Sequence, residues 1–419
     1  MPMNPAALTR LHAVLQNHVD QGLLPGAVAL VHHRGETVMH TAVGHQRPPA
    51  AASAAAAVPA DSAARATAQG VTPAMAPAMA PDTVFRIYSM TKPIVSLVAM
   101  MLMEEGRLLL SHPVSHYLPA FAGQQVFDAA TGTTTPALRE ATVHDLLRHT
   151  AGLSYAWEMG KVPDAYRSAR IGSRRHSNAQ QAAALGPLPL VHQPGSCWEY
   201  SRATDVLGAV LEVIENAPLG TILQRRVFGP LGMHDTGFFV APDQLHRLAE
   251  PFARDPQTQQ AVALIDVAAP PVFESAGGGL VSTAGDYARF LQLMLGRGTV
   301  PAANDDGSGN GNGSDSGTAL RLLGRATVDF MTADHLGGLP VAGDILPGGY
   351  GFGLGVAVRT AKGMATRPGS AGHYSWSGLG GTYFFVDPAE DLFAILLTQA
   401  PGQLRYLCEL YPALVYAAL

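Results

Sequence analysis

Leu8, Leu11, Val14, Leu15 and Val19 recur every three to four positions, the spacing of an amphipathic helix lying on a surface. Gly26 to Gly44 reads as two strands joined at Arg34-Gly35, where a hairpin turn is expected. A helix then runs from about residue 90 to 105, apolar around most of its circumference and stopped at Gly106. Helical spacing returns near 142–149, 204–216 and 284–296. From Gly349 the pattern changes to strands: 349–358, then Gly381 to Asp387, then Leu392 to Gln399, before a last helix over 402–418.

Strands at both ends of a helical middle predict an α+β fold, an α/β sandwich. One antiparallel sheet is built from both termini and flanked by helices, with a mainly helical domain inserted. The expected boundaries are 1–100 and 275–419 for the sheet domain and 101–274 for the helical one. Two stretches break the pattern: 47–81, rich in Ala, Pro and Ser, and 304–317, rich in Gly, Ser, Asn and Asp. Both are expected to be solvated insertions that carry no chemistry.

An apolar fraction of 47% and a charged fraction of 14% describe a globular chain. A net charge of −5 offers no footprint for nucleic acid or an anionic membrane. No stretch approaches the roughly 20 apolar residues of a membrane span. The N-terminus lacks the features of an export signal, so a soluble, cytoplasmic protein is expected.

Cys197 and Cys408 stand far apart, without zinc or disulfide spacing. His32, His33, His40 and His45 lack carboxylates at ligand spacing, so no metal site is expected. Gly351, Gly353 and Gly355 alternate along a strand and do not open a helix, which speaks against a dinucleotide loop. No Gly-x-Ser-x-Gly occurs, so the elbow of α/β-hydrolases is not the device here.

The strongest local signal is Phe85-Arg-Ile-Tyr-Ser-Met-Thr-Lys-Pro93. Ser89 and Lys92, three apart at the start of an apolar helix, share one face and can touch. A serine hydroxyl becomes a good nucleophile only when an adjacent base takes its proton. An ammonium buried among Ile94, Val95, Val98 and Met101 is costly, which favours its proton-accepting form. The start of a helix also points N–H groups at a developing oxyanion.

Ser89-Met-Thr-Lys92 followed by Pro93 resembles the first motif of the penicillin-recognising serine enzymes. These include class C β-lactamases, D-alanyl-D-alanine carboxypeptidases and the β-lactamase-like family VIII carboxylesterases. Further similar segments follow in order: Leu146–Leu153, Pro194–Gly208, Pro230–Phe238, Gly277–Phe290 and His373–Pro388. The resemblance runs from about residue 5 to the end, outside the two low-complexity stretches. It implies a β-lactamase/transpeptidase-like fold and makes Tyr200 the tyrosine of the Tyr-x-Asn motif, beside the Ser/Lys pair.

Arg202 stands where that motif has asparagine, which counts against efficient lactam cleavage, and no catalytic role is assigned to it. Trp376, Ser377 and Gly378 replace Lys-Thr-Gly; indole for a cation removes an anion anchor, and the result is similar to the Trp-x-Gly variant of the esterases. The implied oxyanion hole combines the N–H groups of Ser89 and Leu379. His149 is expected to be structural.

The implied function is a serine carboxylesterase acting on small to medium, short-acyl esters through a Ser89 acyl-enzyme, compatible with weak β-lactam hydrolysis. The rivals are a β-lactamase or D-Ala-D-Ala carboxypeptidase, an acyltransferase on the same scaffold, and a non-catalytic binding protein. The last should have lost one of Ser89, Lys92 or Tyr200, and all three are present. The expected partner is a small-molecule ester, with no cofactor, metal, nucleic acid or membrane; monomer and homodimer both stay open.

Overall fold

A computed structural model describes residues 2–48, 76–300 and 319–419. Seven strands form one antiparallel sheet: β1 (Gly26–His33), β2 (Glu36–Gly44), β3 (Tyr350–Phe352), β4 (Ala357–Arg359), β5 (Tyr374–Gly378), β6 (Thr382–Asp387) and β7 (Leu392–Thr398). Their order is β2-β1-β7-β6-β5-β4-β3. The two ends of the chain meet where β1 pairs with β7, from Ala27 opposite Thr398 to His33 opposite Leu392. The β1–β2 hairpin turns at Arg34 and Gly35, both at positive φ (52° and 82°), as a two-residue turn matched to strand twist requires.

Five helices bear on the site: α1 (Pro5–Asp20), α2 (Thr91–Glu104), α3 (Ala203–Glu215), α4 (Ala284–Leu295) and α5 (Leu404–Tyr416). The pleat sends alternate residues of each strand to opposite faces. Ala29, Val31, Phe385 and Leu396 face outward, under Leu11 and Leu15 of α1 and Leu407, Tyr411 and Val415 of α5. Val28, Leu30, Phe384, Ile395 and Leu397 face the other way, into a core shared with α2, α4 and the helical region.

Helix α2 is the hub, with every residue from Thr91 to Met100 buried. Pro93 falls in its first turn, where the missing N–H costs no helical bond. Each buried aliphatic side chain contributes about 1.5–3 kcal/mol, enough in sum to carry one buried lysine. The remaining helical spacings also correspond to helices, at Val143–Leu147, α3 and α4.

Two expectations need correction. The run 349–358 is two strands separated by Gly353–Val356. At Gly355 (φ +98°) the chain turns against α2, where a β-carbon would lie 2.5 Å from Ser96 Oγ. The end of the stretch 47–81 is solvated only in part: Pro77, Ala78 and Pro81 are exposed, but Met79 is buried and donates its N–H to Gly44 O at 2.9 Å, while Gln46 N–H reaches Pro77 O at 3.0 Å. The rest of that stretch, 49–75, and all of 304–317 lie outside the described residues. Among the described residues no single helix is long and apolar enough to cross a membrane, and both cysteines are free thiols.

Candidate active site

Ser89 lies in a 3₁₀ turn, Tyr88–Met90, directly ahead of α2. Its neighbour Tyr88 is held at φ 45°, a left-handed conformation that costs a residue with a β-carbon roughly 1–3 kcal/mol. The surroundings hold it there. The Tyr88 hydroxyl accepts the Ile265 N–H at 3.0 Å, and a β-carbon on Gly380 would meet the Tyr88 ring at 3.0 Å.

Lys92 is fully buried, and Nζ donates to Ser89 Oγ at 3.2 Å, Tyr155 Oη at 3.1 Å and Gly277 O at 2.6 Å. All three of these contacts are to oxygen atoms. Tyr200, from the segment entering α3, donates its hydroxyl to Ser89 Oγ at 2.6 Å. The Tyr200 oxygen in turn receives Trp376 Nε1–H at 3.4 Å, and its ring centre lies 4.5 Å from Lys92 Nζ. Ser89, Lys92, Tyr200 and Trp376 are therefore one cluster.

Tyr155 belongs to the same cluster and was not anticipated. Burial, reinforced by the neighbouring Tyr200 and Asp205, raises its ionisation well above the ordinary phenol range, so it stays protonated beside Lys92. Its position two residues after the Leu146–Leu153 segment was the available signal. Asp205 was also missed. Its Oδ1 accepts the Gly277 N–H at 2.8 Å and the Ser275 hydroxyl at 2.7 Å, fixing the peptide segment whose carbonyl receives Lys92. Arg202 clamps the other oxygen of Asp205 at 3.0 Å and lies 5.2 Å from the Tyr155 ring centre.

His149 makes no bond to Ser89. It is buried at φ 58°, its Nδ1 accepts the Ser201 N–H at 3.2 Å, and burial followed by the Lys92 charge keeps it neutral, far below its usual range. Ser377 is a correction. Trp376 and Gly378 face the side of the sheet that carries Ser89, and the pleat turns the intervening Ser377 to the opposite side. There it lines a separate hollow of about 310 Å³ with Cys408, whose thiol burial pushes up to about 12 and which the Ser377 hydroxyl contacts.

Leu379, 58% exposed, stands on the rim of the cleft in front of Ser89. Among the described residues neither the Ser89 nor the Leu379 N–H meets an acceptor, leaving both free for an oxyanion. That cleft, of about 270 Å³, is lined by Tyr155, Trp157, Arg174, Phe273 and Leu379 around Ser89. A larger hollow of about 600 Å³ lies beside Phe238, Phe239 and Glu274 and includes none of the cluster. Among the described residues no group of three or more His, Cys, Asp or Glu side chains could hold a metal ion.

A buried lysine and a tyrosine converging on one hydroxyl, between an antiparallel sheet and a helical region, define a serine hydrolase of the β-lactamase/transpeptidase type. The chain belongs to the β-lactamase family, whose model matches its residues 11–419. It is 36% identical over 400 residues to an uncharacterized protein of Mycobacterium tuberculosis, covering 92% of this chain and 88% of that protein. Esterase EstB of Burkholderia gladioli is 31% identical over 411 residues, covering 93% and 89%. The solved structure of EstCE1, a hydrolase with promiscuous acyltransferase activity, has the same fold, with a TM-score of 0.71, 24% identity and 98% of both chains covered.

Proposed function

We propose that this protein is a serine carboxylesterase acting on small to medium, short-acyl esters through an acyl-enzyme on Ser89. The observation that carries the proposal is Ser89 Oγ held between Tyr200 Oη at 2.6 Å and Lys92 Nζ at 3.2 Å. Ser89 attacks the carbonyl carbon while its proton passes to the Tyr200/Lys92 pair in the state where one of the two, phenol or ammonium, has already given up its proton, so that the pair acts as one proton-sharing unit. The oxyanion is received by the N–H groups of Ser89 and Leu379. The same pair returns the proton to the departing alkoxide, and then activates water to release the acid. The scheme uses only the chain's own groups.

The ester preference rests on Trp376, which puts an indole where lactam-processing relatives have a cation, and on the similarity to Esterase EstB. The test is a panel of p-nitrophenyl esters graded by acyl length, beside a chromogenic cephalosporin, on wild type and Ser89→Ala. Short-chain esters are expected to turn over fastest, with a loss of about 10³ or more in the variant. Faster cephalosporin than butyrate turnover would make the protein a lactamase instead. The exposed Trp157 and Leu379 at the cleft mouth favour a second reading, transfer of the acyl group to an alcohol in place of water. Product analysis with added acceptor alcohols distinguishes the two.

A further inference from the structure

The cleft in front of Ser89 carries one cation that the scheme above leaves unused, Arg174. The other charged side chains on its wall are Arg202 and Asp205, and these are bonded to each other. Both Asp205 oxygens are occupied, since the second accepts Gly277 N–H and the Ser275 hydroxyl. Among the described residues no carboxylate pairs with Arg174; its bond, at 2.7 Å, goes to the backbone carbonyl of Asp266.

Arg174 is exposed, and the backbone leading to it is held in place. The buried Gln181 accepts the Gly172 N–H at 2.9 Å and donates to Ser173 O at 2.7 Å, fixing the backbone just ahead of it. Gly172 sits at φ +90°, against the Arg202 guanidinium. The tethering residue Asp266 follows Ile265, whose N–H donates to the hydroxyl of Tyr88, the residue before the nucleophile. Arg174 is thus placed in register with the Ser89 turn through two backbone-anchored contacts. A guanidinium has five N–H donors, and those left over can grip a carboxylate in bidentate fashion. The same cleft has apolar lining as well: Phe273 is buried, and the half-exposed Trp157 stacks on Tyr155 with ring centres 3.7 Å apart.

We propose that this cleft selects esters carrying a carboxylate away from the reacting carbonyl, with Arg174 receiving that carboxylate. The inference rests on the esterase reading and adds its substrate class. Two matched pairs of esters test it. For a charge on the acyl side, mono-4-nitrophenyl glutarate is compared with 4-nitrophenyl valerate. For a charge on the alcohol side, 4-acetoxybenzoate is compared with phenyl acetate.

In one pair, the ratio of kcat/KM for the anionic to the neutral ester is expected to fall about tenfold in Arg174→Gln. Arg174→Lys should recover part of it, and 0.5 M salt should compress the wild-type ratio. Turnover of the neutral esters with both ratios unmoved by Arg174→Gln would overturn the proposal and leave the esterase reading intact. No turnover of any ester by the wild type would overturn both.

Discussion

Gly378 passes so close to Ile87 that a β-carbon on it would lie 2.2 Å from the Ile87 carbonyl oxygen. Thr382 Oγ1, at the start of β6, donates to that same carbonyl at 3.3 Å, so the end of β5 and the start of β6 both meet the segment leading to Ser89 at one point. The spacing of the Ser89 and Leu379 N–H groups depends on this approach.

Gly378→Ala must therefore push β5 away from the nucleophile turn. Removing one oxyanion donor typically costs about 10²–10³ in kcat, and a displaced donor should cost a good part of that. A fall in kcat of about tenfold or more is expected with little change in KM, measured on a p-nitrophenyl ester, while circular dichroism shows the fold retained. Wild-type kcat in the variant would mean that the Leu379 N–H takes no part.

Tyr155→Phe tests whether the second tyrosine serves Lys92 or the reaction itself. The ring stays packed, and the lysine loses one of its three acceptors, an unmet bond worth about 1–3 kcal/mol. A drop in kcat of about tenfold is expected. Tyr200→Phe removes the group that touches Ser89 Oγ and should cost about 10²–10⁴. Equal losses from the two substitutions would put Tyr155 on the proton path.

The contrast between these tyrosines reflects what a sequence makes legible. Ser89 and Lys92 could be paired because a helix converts a spacing of three into contact, and the sheet and helices followed from periods of two and 3.6. Tyr200 came from resemblance alone. Tyr155 and Asp205 reach the site by tertiary paths, one at the end of a loop and the other through the Gly277 peptide, and no local period encodes such a path. Ser377 was misplaced although the pleat was available to correct it. A motif matched letter by letter had made Ser377 a neighbour of Trp376 in function, where the strand makes it a neighbour only in sequence.

Acid sensitivity follows from the buried histidines. His373 stacks on Phe385, sits 2.9 Å from the Tyr416 hydroxyl, and is held down to about 3, by burial first and with Asp387 only partly opposing it. In the unfolded chain it titrates near 6.5. Below that pH the unfolded state binds a proton that the native state refuses, so stability rises with pH across the window. The stabilisation is fully present above about 6.5 and is lost as pH falls from 6.5 toward 3; His149 acts in the same direction. The midpoint of thermal unfolding should hold steady between pH 7 and 8 and fall progressively below 6.5. His373→Asn keeps a donor for Tyr416 and should flatten that slope, so an equally steep fall in the variant would assign the sensitivity elsewhere.

Trp376 combines two functions that separate substitutions can divide. Its indole N–H reaches the Tyr200 oxygen at 3.4 Å, a long hydrogen bond to the hydroxyl that donates to Ser89 Oγ. Its ring packs against Tyr200 at 5.3 Å and Phe352 at 5.1 Å between ring centres, forming an apolar wall where lactam-processing relatives have a cation. Trp376→Phe keeps most of the wall and deletes the donor, worth about 0.5–1.5 kcal/mol, so kcat should fall about twofold to tenfold with KM nearly constant. Trp376→Ala deletes both and should also raise KM, because uniform binding to the apolar part of the substrate is lost. Steady-state kinetics on one short-chain ester separates these outcomes. If Trp376→Phe raised KM and left kcat untouched, the indole N–H would have no part in proton transfer, and the residue would be a binding surface alone.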